Sequence, residues 1–492
     1  LGSTGQLHPR ATIDTLPDDV FLEIFYVYLE LEEAPYHLPR MGNFGEDDWH
    51  TLVHVCRRWR GLVFAWSRHF NLRLFCTNTR PVETMLDIWP ALPIVVNACV
   101  TDLQNSDATT NNIMGALEQP DRVREIKISQ IPNSLLRSFV ALEKPFPSLT
   151  SLVLHSNEEN TPALPDSFLG GSAPRLQSLW LGAIPFPALP ILLLSTSDLV
   201  FLQLWDIPHS GYISSDAMVT SLSTLTRLQN LSLAFQSPRL WADPVSRLVP
   251  LPARVVLPAL ALFRYKGDSE YLEDFLGRVD TPLLDNITIS LSTQLTLNTP
   301  LLRHFISRTE TFNATYRAEV LFSKHRVNIN LFRQDGAADR QVLELEIVSD
   351  WLPLSPTQVC SSFLPPLPTL EHLSISKDDY YLPQWPGNHY IESTQWLELL
   401  HQFLSVKDLI LSESLARLVA PALQELPWER VIEVLPGLQN LYLRGPPPPP
   451  SGLIREAIGL FIAARQLSGR PVAVYYGDWI SMKYVDREVA DR

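Results

Sequence analysis

LTSLVL (Leu149–Leu154), LQSLWL (Leu176–Leu181), LVFLQL (Leu199–Leu204) and LQNLSL (Leu228–Leu233) repeat one phrase: apolar, two free positions, apolar, one free position, apolar. VREIKI (Val123–Ile128) opens the series. LEHLSI (Leu370–Ile375), VKDLIL (Val406–Leu411) and LQNLYL (Leu438–Leu443) resume it further on. The first five copies start 26, 27, 23 and 29 residues apart. The end of each phrase alternates as a half-buried strand does. A strand recurring at such a period cannot bury its apolar edge alone and must stack on its neighbours.

Weaker copies lie between the two groups. LLDNITI (Leu283–Ile289) holds Leu284, Ile287 and Ile289 at the same spacing, and LALFRY (Leu260–Tyr265) holds Leu260, Phe263 and Tyr265. Between them EYLEDFLGRV (Glu270–Val279) reads as an amphipathic helix. One strand with one helix or turn per unit, at a period of roughly 20–29 residues, is the leucine-rich arrangement. Residues 290–369 break the pattern. RAEVLFS, RVNINLF and LELEIVS there read as strands, either degenerate repeats with longer strand pairing or an insertion.

The 41 prolines exceed the usual share of about 5% and gather in connections such as FPALP and LPPLP, where they stiffen turns. Pro446–Pro450 is either a rigid connector or a polyproline ligand. After it, GLIREAIGLFIAARQLSG carries Ile454, Ile458, Phe461 and Ile462 on one helical face and closes on Gly469. This helix and the strand VAVYY (Val472–Tyr476) are expected to cap the end of the solenoid.

Composition excludes several function classes. With 46% hydrophobic and 19% charged residues among 492, the chain folds and buries a large core. A net charge of −14 argues against nucleic acid and anionic membrane as partners. Cys56, Cys76, Cys99 and Cys360 lack CxxC spacing, so no disulfide framework or zinc site is expected, which suits an intracellular compartment, cytoplasmic or nuclear. Apolar runs are too short and too broken by proline to span a membrane. The chain opens on Leu1, which leaves its true start open. Sequons at Asn230, Asn286 and Asn313 fall in expected strands.

The front end is built differently. In IDTLPDDVFLEIFYVYLELEE (Ile13–Glu33), Asp14 and Thr15 offer capping oxygens, Pro17 suits a first helical turn, and Asp18 and Asp19 suit the positive end of the helix dipole. Val20, Ile24, Val27 and Leu31 recur at helical spacing, and Phe21, Phe25 and Tyr28 widen the stripe. HVCRRWRGLVFAW (His54–Trp66) puts Val55, Cys56, Trp59, Leu62, Val63 and Trp66 on one side of a second helix. So short a helical module cannot hide both stripes unaided.

LPDDVFLEIF (Leu16–Phe25), followed by LVHVCRRWRGLVFAWSRHF (Leu52–Phe70), resembles an F-box, the helical module by which substrate receptors dock onto the Skp-type adaptor of a cullin ubiquitin ligase. The matching positions are Leu16, Pro17, Val20, Ile24, Phe25, Leu29, Leu52, Val55, Cys56, Trp59 and Leu62. The sequence departs from the family pattern in a longer connection, LEEAPYHLPRMGNFGEDDWH (Leu31–His50). The whole chain resembles the F-box and leucine-rich-repeat proteins numerous in mushroom-forming fungi. The resemblance implies an α/β protein in four parts: a helical F-box at 12–80 with an insertion at about 30–50, a linker and N-cap at 81–122, an irregular solenoid at 123–445, and a proline linker with C-terminal cap at 446–492. It implies adaptor-binding residues Leu16, Pro17, Val20, Ile24, Phe25, Leu52, Val55, Cys56, Trp59 and Leu62, with a cullin reached through the adaptor.

In LxxLxL units the leucines point inward and the residues between them line the concave face. One column then holds Lys127, Val153, Trp180, Gln203 and Ser232. Ser151, Ser178, Phe201 and Asn230 stand beside it, and a third column holds His155, Gly182, Trp205 and Ala234. Trp180, Phe201 and Trp205 fall together as candidate target anchors, unless a loop or the C-terminal tail covers them. These columns show no arginine cluster of the kind that reads phosphate. No catalytic signature stands out, neither HExxH, GxSxG, a phosphate-cradling glycine loop nor redox CxxC. No enzyme, metal or cofactor is expected. The expected function is therefore substrate recognition for a ubiquitin ligase. The alternatives are a leucine-rich scaffold that joins no ligase, and a sensor binding a small ligand.

Overall fold

The computed structural model describes residues 16–30, 48–77, 82–100, 107–236, 254–292, 299–323, 326–336, 338–348, 356–364, 367–377, 393–427, 430–444 and 453–477. The chain forms two compact units, one of residues 1–162 and 167–178, the other of 163–166 and 179–492. Asp14, Thr15, Leu31, most of the 30–50 insertion and Pro446–Pro450 lie outside the described residues.

The first unit begins with three helices, α1 (Asp18–Glu30), α2 (Asp48–Val55) and α3 (Arg57–Ala65). The single helix expected over His54–Trp66 is broken. Cys56 is extended, at φ −158°, and its Sγ accepts the Trp59 N–H at 3.5 Å, so it caps α3 instead of continuing α2. Val55 therefore belongs to a different helix from Trp59 and Leu62. After the helices come β1 (Leu74–Cys76), α4 (Val82–Ile88), β2 (Ile94–Cys99), α5 (Asp107–Leu117), β3 (Val123–Ser129), α6 (Asn133–Val140) and β4 (Ser151–His155).

These four strands pair in parallel in chain order. Stacking thus starts at Leu74, inside what sequence assigns to the F-box, linker and N-cap, and not at Val123. β2 explains the difference. Ile94, Val95 and Val96 are all buried, so the strand reads as a continuous apolar run without the alternation that marks the later copies.

The chain passes into the second unit along β5 (Ser178–Gly182). There follow α7 (Leu189–Leu193), β6 (Phe201–Ile207), α8 (Ser215–Leu222), β7 (Asn230–Phe235), β8 (Val255–Val256), β9 (Leu262–Gly267), α9 (Ser269–Arg278), β10 (Val279–Asp280), β11 (Asn286–Ser292), α10 (Pro300–Arg308) and α11 (Glu310–Asn313). The rest is β12 (Thr315–Phe322), β13 (Arg326–Asp335), β14 (Ala338–Val348), α12 (Pro356–Phe363), β15 (His372–Lys377), α13 (Ser393–His401), β16 (Asp408–Ser412), α14 (Glu413–Gln424), β17 (Asn440–Arg444), α15 (Leu453–Leu467) and β18 (Ala473–Tyr476). Asn313 ends a helix, so its sequon is not in a strand.

Strands β6, β7, β9 and β11 pair in parallel, as do β15 to β18, while β8 and β10 make a separate short pair. Residues 315–348 answer the question left at 290–369. β12, β13 and β14 form an antiparallel meander, with β14 parallel to β11 on one side and β12 parallel to β15 on the other. Three strands reverse direction twice, so the polarity of the sheet is the same on both sides. The apolar frame is also kept, because Ile287 pairs with Leu343 and Val320 with Ile375, and all four are buried.

The helices are tied to one another by polar clamps. Asp268 caps α9 by accepting the Tyr271 N–H at 2.7 Å. Arg278, almost buried, donates to Asp216 at 2.6 Å and to Asp274 at 3.1 Å, joining α8 to α9. Glu273 of α9 accepts the Leu301 and Leu302 N–H groups at 2.8 and 2.7 Å, so one carboxylate satisfies two orphan donors at the start of α10. At the C-terminal end Ile458 and Phe461 are buried, and Gly469, at φ +75°, takes the left-handed turn after α15 as expected. Among the described residues no helix is long and apolar enough to cross a membrane.

Candidate docking and capture surfaces

The helical module sorts its apolar residues into two sets. Phe21 and Phe25 are fully buried, and Trp59 packs on both at centroid distances of 5.4 and 4.9 Å. Arg58 lies over the Phe21 ring, pairs with Asp18 and donates to the Leu16 carbonyl at 2.7 Å, tying α3 to the start of α1. Trp49 donates to the Arg73 carbonyl at 3.1 Å and stacks edge-on against Trp89, anchoring α2 beside β1. These contacts make a core of rings.

The other set faces solvent. Val20, Ile24 and Val27, at i, i+4 and i+7 of α1, are 39%, 44% and 52% exposed, with Tyr28 beside them. The Tyr28 hydroxyl meets Thr51 of α2 at 3.2 Å, and one turn beyond Thr51 stands Val55, 58% exposed. Each of these side chains leaves about two fifths or more of its surface to solvent, area that the module's own packing does not use. Of the positions matched in sequence, Val20, Ile24, Val55 and Pro17 are thus presented, and Leu16, Leu29, Cys56, Trp59 and Leu62 are half-buried. Phe25 and Leu52 are interior, so they are withdrawn from the presented set and shape it from within.

On the second unit, alternation along β6 turns Leu202 and Leu204 inward and Phe201, Gln203 and Trp205 outward. Phe201 is 46% and Trp205 44% exposed, while Trp180 on the adjacent strand β5 is half-buried. The three candidate anchors thus lie on two neighbouring strands, Trp180 on β5 and Phe201 and Trp205 on β6. Lys266 of β9 reaches back to within 5.7 Å of the Trp205 ring, a cation–π contact.

Sequence reasoning missed what lies next to them. The columns stopped at Ser232, because the interval to the next strand is longer and its phrase weaker. Pairing extends them: Gln203 faces Ser232, Ser232 faces Arg264, Arg264 faces Thr288 and Thr288 faces Glu344. The extended columns still hold no arginine cluster, but they add two exposed cations to the face, Arg264 and Lys266. The signal was present in LFRYKG, whose cations alternate with buried Phe263 and Tyr265. Farther along the same face Arg317 bridges Glu319 and Asp339, and the His372 Nδ1 meets Asp408 at 2.6 Å. Burial pushes the Asp408 carboxyl up, but bonds from His372 and Asn440 outweigh it and hold it below the usual range.

Burial pushes the Cys360 thiol up to about 12, so it stays protonated and inert at neutral pH. Among the described residues no three His, Cys, Asp or Glu side chains converge as metal ligands.

No protein-family profile matches the chain, and no curated protein matches it. Among solved structures, the leucine-rich repeat-containing protein LegL7 of Legionella pneumophila is similar at 14% identity over 81% of this chain and 98% of that one, with a TM-score of 0.25. A likeness that weak carries no argument, and the repeat architecture rests on the strand pairing described above.

Proposed function

We propose that the chain is the substrate-recognition subunit of an intracellular cullin-type ubiquitin ligase, docking a Skp-type adaptor through α1–α3 and capturing a target protein on the strand face of the second unit. The observation that carries the docking half is the exposed stripe of Val20, Ile24 and Val27, continued by Tyr28 and Val55. Buried against a partner, each such side chain contributes on the order of 1.5–3 kcal/mol. The capture half is supported by Phe201 and Trp205, large aromatic side chains standing in solvent where bound partners find their anchors. On this reading the chain performs no catalysis and needs no cofactor, because ubiquitin transfer belongs to other subunits.

The test is co-purification with a Skp-type adaptor, comparing wild type with Ile24→Glu and Val55→Glu. Both positions are exposed, so the variants keep the fold while placing a charge in the interface. Stoichiometric binding by wild type, lost in both variants, is the expected result. A folded wild type that binds no adaptor would overturn it and leave a repeat-built binding protein outside any ligase.

A further inference from the structure

Two strands of the second unit carry opposite charges on one face. On β9, Arg264 and Lys266 are exposed, and neither forms an ion pair among the described residues. On β14, Glu344 is exposed and likewise unpaired, with Glu346 two residues on, held by Ser290 and Arg326. Between them β11 contributes only hydroxyls, Thr288 in register with Arg264 and Glu344, Ser290 in register with Lys266 and Glu346. Strands lie about 4.8 Å apart, so the cationic and anionic rows are about 10 Å from each other. At that separation screening by salt, with a Debye length of about 8 Å, leaves little attraction between them. Two cations without an ion pair among the described residues stand out on a chain of net charge −14, and one of them, Lys266, already leans on the Trp205 ring of β6.

The spacing selects the shape of an occupant. From β6 to β9 is two strand steps, and from β9 to β14 two more. An α-helix crossing the strands rises about 10.5 Å in seven residues and returns to the same face after two turns. An extended segment returns its side chains to one face every ~7 or ~14 Å and fits neither step.

We propose that this face receives an amphipathic helix of a partner protein. The helix lies across the strands along the row Gln203, Ser232, Arg264, Thr288 and Glu344, with an apolar residue over Gln203 between Phe201 and Trp205, an acidic residue seven positions away over Arg264 with Lys266 beside it, and a basic residue seven further over Glu344. This inference rests on the reading of the face as the capture surface and names the chemistry of what is captured.

The probe is a fluorescein-labelled helical peptide three heptads long, with leucine, glutamate and lysine at seven-residue spacing in that order. A second peptide has the glutamate and lysine exchanged. Anisotropy titrations with the full chain are expected to show the first bound at least tenfold tighter than the second. In Arg264→Glu/Lys266→Glu/Glu344→Lys the preference should invert. Melting curves matching wild type establish that the variants are folded. Equal binding of the two peptides, or a preference that survives the charge exchange, overturns the proposal. So does the absence of saturable binding up to about 1 mM, the weak limit of specific association. If binding is lost in Trp205→Ala but indifferent to the charge exchange, the capture surface stands and the charge pattern falls. If target pull-down survives Trp180→Ala/Trp205→Ala, the capture reading itself fails.

Discussion

The helical module and the strand face of the second unit both leave side chains in solvent, but of different kinds. α1 offers a narrow stripe of Val20, Ile24 and Val27 over a core of aromatic rings. The strand face offers Phe201 and Trp205, two cations and a carboxylate that form no ion pair among the described residues, over a core of leucines. An apolar stripe binds by area and tolerates little choice, whereas spaced charges discriminate between partners through pairing and repulsion. On the proposed function, the first surface would serve a constant partner and the second a chosen one.

The largest effect expected comes from attacking the core beneath the stripe. Phe25→Ala removes a fully buried ring between Trp59 and Phe70 and should cost about 3–5 kcal/mol of local stability. Hydrogen exchange should show α1–α3 opening while β15–β18 stay protected. Exchange that is unchanged in α1 would show that the rings do not hold the module. By contrast Val20→Glu/Ile24→Glu should leave that protection intact while weakening adaptor binding more than tenfold. If both variants behave alike, the division into core and presented stripe is wrong.

Much of this was legible in the sequence, and for identifiable reasons. The helix at Asp18 was signalled by Pro17 and two aspartates, and the parallel strands by leucines at fixed spacing. The antiparallel meander was not, since RVNINLF alternates equally well in either strand direction and pairing partners are non-local. β2 was missed because burial on both faces erases alternation, and β1 because three residues are too short to show a period. The break at Cys56 was hidden because apolar residues on both sides of it fit a single helical stripe. Trp180, Phe201 and Trp205 came from column reading, which works while repeats keep their phrase and loses Arg264, Lys266 and Glu344 where the phrase weakens.

A smaller effect tests whether the second unit's helices depend on one another. Glu273 reaches from α9 to cap α10, and burial raises its pKa despite the two backbone N–H bonds that lower it. Glu273→Ala should cost about 0.5–2 kcal/mol, the usual worth of a cap. Urea melts monitored on the full chain would show the midpoint fall. An unchanged midpoint would mean that water caps α10 as well as the carboxylate does.

The smallest effect belongs to the first unit and is read through pH. Glu125 of β3 is held between Arg73 and Lys127. Burial pushes its carboxyl up, but the two cations outweigh burial and leave it below the usual range. A carboxyl depressed by folding stabilises the native state above its unfolded pKa, about 4.3, and that contribution fades as pH falls through the folded value. Glu125→Gln should therefore lower stability at pH 7 by under about 1 kcal/mol, the range of partly exposed pairs. The gap between variant and wild type should close progressively in acid. A gap that is the same at pH 7 and in acid would assign the loss to packing in β3 and not to charge. In that case the polar residues of the first unit's strands would act as structural spacers, and only the second unit's strand face would use its charges to choose a partner.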